Sequence, residues 1–135
     1  MEIIIDTNFL LIPFTLNVDI FSQFREMNIK LNIIDRQIDE LNKLKEKGSG
    51  SEKLASKLVI EAISRFKINI VDPSSLNIHS SSSEESFKKV DTVILETAKS
   101  LKFGVATQDK ELKKRLREEK IPVYYLRQKK YITRD

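Results

Sequence analysis

Five short apolar runs, at residues 3–6, 31–34, 68–71, 103–107 and 123–126, are separated by segments whose apolar residues recur every three or four positions. Val18, Phe21 and Phe24 recur at threes, as do Ile38, Leu41 and Leu44. The longest stripe is Leu54, Leu58, Val59, Ala62, Ile63 and Phe66. Phe87, Val90, Ile94, Ala98 and Leu101 form another, and Leu112 with Leu116 marks a short amphipathic helix. Such periods predict helices, whereas the runs between them have strand length. Strands that alternate with helices form βαβ units, so the expected fold is α/β with a parallel sheet covered on both faces.

Punctuation agrees with this division. Gly48-Ser49-Gly50-Ser51 separates two helices, with Ser51 the expected N-cap of the second. Asp72-Pro73 ends the third strand, and the seven serines of residues 74–86 read as a mobile loop. The glycines do not have P-loop spacing, and no internal repeat is present. A length of 135 residues suits a single domain over 1–135. The absence of cysteine excludes disulfides and thiolate metal sites. Asp6 interrupts the first apolar stretch and no run approaches a membrane span, so a cytoplasmic protein without a signal peptide is expected.

Two carboxylates stand at matched places in this pattern. Ile3-Ile4-Ile5-Asp6-Thr7-Asn8 and Gly104-Val105-Ala106-Thr107-Gln108-Asp109 each carry an acid just beyond an apolar run, before a helix. Open parallel sheets bind ligands outside the carboxyl ends of their strands. Asp6 and Asp109 are therefore expected to share a site, with their strands as neighbours. N-capping of the following helix is the alternative for each. Gathered carboxylates raise one another's pKa, and a bound divalent metal holds them ionised. Thr7, Asn8 and Thr107 are candidates to orient these acids by hydrogen bonding.

Asp91 lies about 60° from the centre of its helix's apolar stripe at 100° per residue, where an acid needs a cation or strong hydrogen bonds. Spacing alone leaves Glu40 as surface charge at the edge of another stripe. His79 is the single histidine and falls in the serine-rich segment, which argues against histidine-based catalysis. Charge is uneven: residues 110–135 hold ten Lys/Arg against four Asp/Glu, while the preceding residues hold fourteen against sixteen. Lys113, Lys114 and Arg117 on the last helix, with Arg127, Lys129 and Lys130 in a basic C-terminal tail over 127–135, are candidate phosphate contacts. Tyr124, Tyr125 and Tyr131 interleave with the last three, although at least one of them is expected in the core.

Four elements in order now resemble the PIN-domain nucleases, in particular an archaeal branch similar to the eukaryotic endonucleases that process small-subunit ribosomal RNA. They are Ile5-Asp6-Thr7-Asn8-Phe9-Leu10-Leu11, Asp39-Glu40-Leu41, Val90-Asp91-Thr92-Val93-Ile94-Leu95, and Val105-Ala106-Thr107-Gln108-Asp109-Lys110-Glu111-Leu112 followed by residues 121–127. The resemblance implies a three-layer α/β/α sandwich around a central parallel sheet of about five strands. It also implies that Asp6, Glu40, Asp91 and Asp109 are a catalytic quartet coordinating Mg²⁺ or Mn²⁺, and it alone raises Glu40 above surface charge. Hard oxygen ligands suit these ions, which keep several waters and bridge to phosphate. One departure stands out: relatives of this branch often carry a second acid after the third one, where this chain has Thr92.

The function so implied is metal-dependent endoribonuclease activity in ribosomal RNA processing, on single-stranded or ribosomal RNA. The alternatives are a toxin-type PIN ribonuclease held by an antitoxin, and a weakly catalytic or non-catalytic RNA-binding module of ribosome assembly. A homodimer and a ribosome-assembly protein join the antitoxin as candidate partners. A phosphoacceptor receiver domain, with Asp72 as acceptor, fits less well. It lacks the acidic pair at the first strand and the lysine after the fifth.

Overall fold

Ile3, Ile4 and Ile5 are all fully buried, which a strand allows only when both of its faces are covered. In the computed structural model, which describes residues 1–76 and 89–135, they belong to β1 (Glu2–Ile5) near the middle of a six-stranded sheet. The strand order is β3-β2-β1-β4-β5-β6, with β2 at Lys30–Ile34, β3 at Asn69–Val71 and β4 at Gly104–Ala106. β5 (Val123–Arg127) follows, and β6 (Tyr131–Arg134) closes the edge. The first five strands run parallel, and β6 pairs antiparallel with β5.

Side chains alternate across a strand, so consecutive isoleucines feed opposite cores. Ile3 and Ile5 join Phe9, Phe24, Leu41 and Val59. Ile4 joins Ile94, Val105, Leu112 and Leu116. Each fully buried isoleucine contributes about 1.5–3 kcal/mol. The first core is covered by α1 (Thr7–Leu10), α2 (Ile12–Thr15), α3 (Ile20–Glu26), α4 (Asp35–Lys47) and α5 (Gly50–Arg65). The second is covered by α6 (Val90–Leu101) and α7 (Lys110–Glu118). The three-layer α/β/α sandwich follows from these two faces.

Several local expectations are revised. Residues 127–135 are not a tail, because a three-residue turn over 128–130 returns the chain as β6. Gln128 and Lys129 both have positive φ, 55° and 54°, and the Lys130 N–H closes the turn on the Arg127 carbonyl at 3.0 Å. Left-handed pairs of this kind usually carry asparagine or glycine, which is why sequence does not announce the hairpin. Gln23 clamps it from α3, donating to the Lys130 carbonyl at 2.9 Å and accepting the Ile132 N–H at 2.8 Å.

The N-cap of α5 is Ser49, not Ser51. Ser49 and Glu52 exchange side chain–backbone hydrogen bonds in a capping box, and Ser51 falls inside the first turn. The ends of that helix's apolar stripe are exposed, Leu54 at 60% and Phe66 at 43%, although Ala55, next to Leu54, is buried. Phe66 recovers contact by stacking on Phe21 with ring centroids 4.8 Å apart. Pro73–Leu76 forms a short 3-10 helix. The remainder of the expected serine-rich loop, His79, and Phe87 of the α6 stripe lie outside the described residues. Among the described residues no helix is long and apolar enough to cross a membrane.

Candidate acidic site

Strand order reverses direction at β1, whose neighbours are β2 and β4. The crevice expected at such a point lies beyond the carboxyl ends of β1 and β4. Asp6 follows β1 directly, and its N–H donates to the Ala106 carbonyl at 2.9 Å, continuing the parallel pairing by one residue. Asp109 follows β4 by three residues. A cleft of about 490 Å³ at this edge is lined by Asp6, Asn8, Glu40, Lys89, Val90, Asp91, Asp109 and Glu111. All four acids of the expected quartet thus face one space, and β1 and β4 are the neighbours that this sharing requires.

Each acid is held by a different local device. Asp6 caps α1, its Oδ1 accepting the Thr7 N–H at 2.8 Å, while its Oδ2 accepts from Thr107 Oγ1 at 2.8 Å. Glu40 is drawn in from α4 by Thr7 Oγ1, which donates to Glu40 Oε1 at 2.7 Å. Asp109 caps α7 through the Leu112 N–H at 3.0 Å. Its own N–H donates to Thr107 Oγ1 at 3.1 Å. Asp91, in the first turn of α6, accepts the Thr92 N–H at 2.9 Å and lies 3.7 Å from Arg115 Nη1. For Asp6 and Asp109, capping and site membership are therefore not alternatives, because the cap fixes the rotamer that faces the cleft.

Thr7 and Thr107 are the hydroxyls that tie these acids together, as their sequence positions suggested. Asn8 lines the cleft without a hydrogen bond to any of the acids among the described residues. Gln37 was not anticipated from sequence. It is fully buried, accepts the Ile34 N–H at 2.8 Å, and donates to the Ile5 carbonyl at 2.6 Å and to Thr7 Oγ1 at 3.2 Å. One side chain thereby joins β2, β1 and the Thr7–Glu40 bond. Its only sequence signal was a glutamine three residues past the last strand residue, where helix starts favour Glu or Gln. Glu111 and Lys89 line the cleft as well, and neither stood out in sequence.

Burial pushes the Asp6 carboxyl above the usual carboxylate range, and the charges of Glu40 and Asp109 push the same way. The hydrogen bonds from Thr107 and Thr7 only partly oppose this. Among the described residues no three acids converge closely enough to enclose a bare ion. The donor set nevertheless fits a hydrated hard cation, since Mg²⁺ keeps several waters and uses only one or two direct carboxylates. The like charges around Asp6 supply the electrostatic demand for such an ion.

The parallel strands also set where the cations lie. The C-terminal ends of β1, β4 and β5 share one sheet edge, so the hairpin turn after Arg127 sits on the same edge as the acids. Arg127, Lys129, Lys130 and Lys114 are exposed. Lys113 Nζ lies over the Tyr125 ring, 4.9 Å from its centroid, while Tyr124 is core. Arg117 is elsewhere. It is two turns along α7 from Asp109, about 12 Å at 1.5 Å per residue, and it pairs with Asp135.

Comparison with known proteins agrees with this architecture. The PIN domain endonuclease Utp24 superposes with a TM-score of 0.73 at 22% identity, over 99% of this chain and 90% of that one. The VapBC2 structure from Rickettsia felis, bound to a promoter DNA fragment, gives 0.62 at 18% identity over 94% of this chain and all of that one. In sequence, ribonuclease VapC9 of Archaeoglobus fulgidus is 26% identical over 96% of this chain and 85% of its own length. Ribonuclease VapC4 of Methanocaldococcus jannaschii is 33% identical over 96% of this chain and 93% of its own. The PIN like domain family model matches residues 3–129. With that match spanning β1 to the hairpin turn, and the sheet order and acidic edge described above, the chain belongs to the PIN-like domain family.

Proposed function

We propose that this protein is a divalent-metal-dependent endoribonuclease, with Asp6, Glu40, Asp91 and Asp109 as the acids that hold Mg²⁺ or Mn²⁺. The observation that carries the reading is the convergence of these acids on one cleft, with Asp6 held above its ordinary pKa by burial and by like charge. A cation bound there supplies a nucleophilic water at neutral pH and offsets charge on the phosphate oxygens. The chain's own contribution is orientation. Thr107 and Thr7 fix the Asp6 carboxylate, Thr7 and Gln37 fix Glu40, and the α7 cap fixes Asp109. Lys113, Lys114, Arg127, Lys129 and Lys130 are proposed to hold the RNA backbone beside the cleft, because acids alone repel a polyanion. Arg117 is the weakest member of the basic set, given its pairing with Asp135.

Ribosomal RNA processing is the first cellular role proposed. It draws on the sequence pattern and on a fold like that of Utp24. A toxin role with an antitoxin partner is the second, and the curated names of the two VapC relatives favour it. Incubating structured and single-stranded RNAs with the protein plus Mn²⁺, Mg²⁺ or EDTA tests the activity. Cleavage that needs metal and is lost in Asp6→Asn is the expected result. Equal cleavage in EDTA, or by Asp6→Asn, overturns it.

A further inference from the structure

We propose that Thr92 and Arg115 form a pair that positions Asp91, so that residue 92 orients its neighbour instead of ligating a cation. The inference rests on the reading of the cleft as a divalent-cation site. Both oxygens of Asp91 are addressed from Thr92. Oδ1 accepts the Thr92 N–H at 2.9 Å. Oδ2 faces Arg115 Nη1 at 3.7 Å, and that nitrogen is held by its hydrogen bond to Thr92 Oγ1 at 3.1 Å.

A separation of 3.7 Å is an ion pair without a hydrogen bond. The guanidinium therefore biases the carboxylate electrostatically and leaves the lone pairs of Oδ2 free for another partner. Arg115 does not line the cleft, whereas Asp91 does, so the arginine stands behind the acid. Its place is fixed from both sides. Leu112 and Leu116, which flank it on α7, are fully buried in the same core as Ile94 and Ala98 of α6. A hydroxyl at 92 can accept from the guanidinium while its backbone caps the acid. An acid at 92 would instead pair with Arg115 and compete with Asp91 for it. The alternative is an ordinary ion pair about one third exposed on each side, of the kind worth about 0–1 kcal/mol and no more.

Mn²⁺ alone, titrated calorimetrically into the metal-free protein, separates the two. Thr92→Val and Arg115→Ala are each expected to weaken Mn²⁺ binding about 10-fold, the lower range for partners that orient metal ligands. Thr92→Ser should retain wild-type affinity. The double variant should be no weaker than the worse single one, since both act through one carboxylate. Metal-free melting temperatures should stay within a few degrees of wild type, as an ion pair about one third exposed on each side requires. The loss of Mn²⁺ affinity is thus the readout that an ordinary ion pair would not move. Should Arg115→Ala fail to fold, Thr92→Val against Thr92→Ser carries the test alone. Unchanged Mn²⁺ affinity in these variants, with affinity lost in Asp91→Asn, overturns the positioning pair and leaves the cation site standing. Tighter Mn²⁺ binding by Arg115→Ala also overturns it, by making the arginine a competitor of the cation. A wild-type protein that binds no Mn²⁺ overturns the cation site and the pair together.

Discussion

Thr107 Oγ1 donates to Asp6 Oδ2 at 2.8 Å across 101 positions of sequence, and the same oxygen accepts the Asp109 N–H at 3.1 Å. One buried hydroxyl therefore sets the distance between the two strand-end acids. Thr107→Val keeps the shape and removes both bonds. It should lower metal affinity or kcat/KM by about 10- to 100-fold and cost about 1 kcal/mol for the orphaned N–H. Thr107→Ser should restore both, and Mn²⁺ titration with thermal melting reads the two effects separately.

Asp6 links stability to pH with a definite sign. Its carboxyl is raised in the folded chain, so the unfolded chain loses its proton first, near the ordinary value of 3.8. Stability therefore falls as pH rises from there through the folded value, and the full cost persists at neutral pH. Asp6→Asn, which can still cap α1, should melt higher than wild type at pH 7 without metal, with the gap closing below pH 3.8. Added Mn²⁺ should raise the melting temperature of wild type only. A variant that melts lower at pH 7 contradicts this account.

The basic edge predicts a salt effect. Neutralising Lys113, Lys114, Lys129 and Lys130 together should flatten the salt dependence of single-stranded RNA binding by about 0.7 in slope per lost contact. The ring contact of Lys113 with Tyr125 makes its share the smallest. Filter binding across a salt series measures this, and an unchanged slope removes the basic edge from RNA contact.

Gly104 is where the sheet leaves no room. A Cβ there would lie 3.1 Å from the Pro122 carbonyl and from the Tyr124 ring, and 3.2 Å from Ile3 Cγ2. Gly104→Ala should destabilise by about 1–3 kcal/mol through overpacking, visible as a lower urea midpoint. Because the segment carrying Thr107 and Asp109 directly follows β4, metal affinity should fall with it.

Thr97 Oγ1 is fully buried in α6 and has no hydrogen-bond partner among the described residues. Thr97→Val replaces that hydroxyl with a methyl of nearly the same shape. A gain of about 1 kcal/mol is expected from the removed desolvation cost, measured by denaturant melting, with no change in metal affinity. A loss of stability would falsify the view that this hydroxyl is unsatisfied.

The sequence alone determined the first five strands and their alternation with helices, the parallel sheet and the two strand-end acids. Those features are local: three consecutive isoleucines need two covered faces, and an acid after a buried strand has only the sheet edge to occupy. Glu40 was different. Its spacing on α4 described a surface charge, and only resemblance raised it. Its contact with Thr7, 33 positions away, depends on α4 packing beside α1, which no local period encodes. The roles of Gln37, Glu111, Lys89 and the Thr92–Arg115 pair were not legible for the same reason, since each is acquired from elements that meet only after the sheet has formed. The hairpin into β6 was hidden by its turn, whose left-handed Gln128 and Lys129 are stabilised by Gln23 from a distant helix. Residue type and period fixed which elements exist, and tertiary packing decided which side chains share the cleft, because that depends on distances between elements and not on order along the chain.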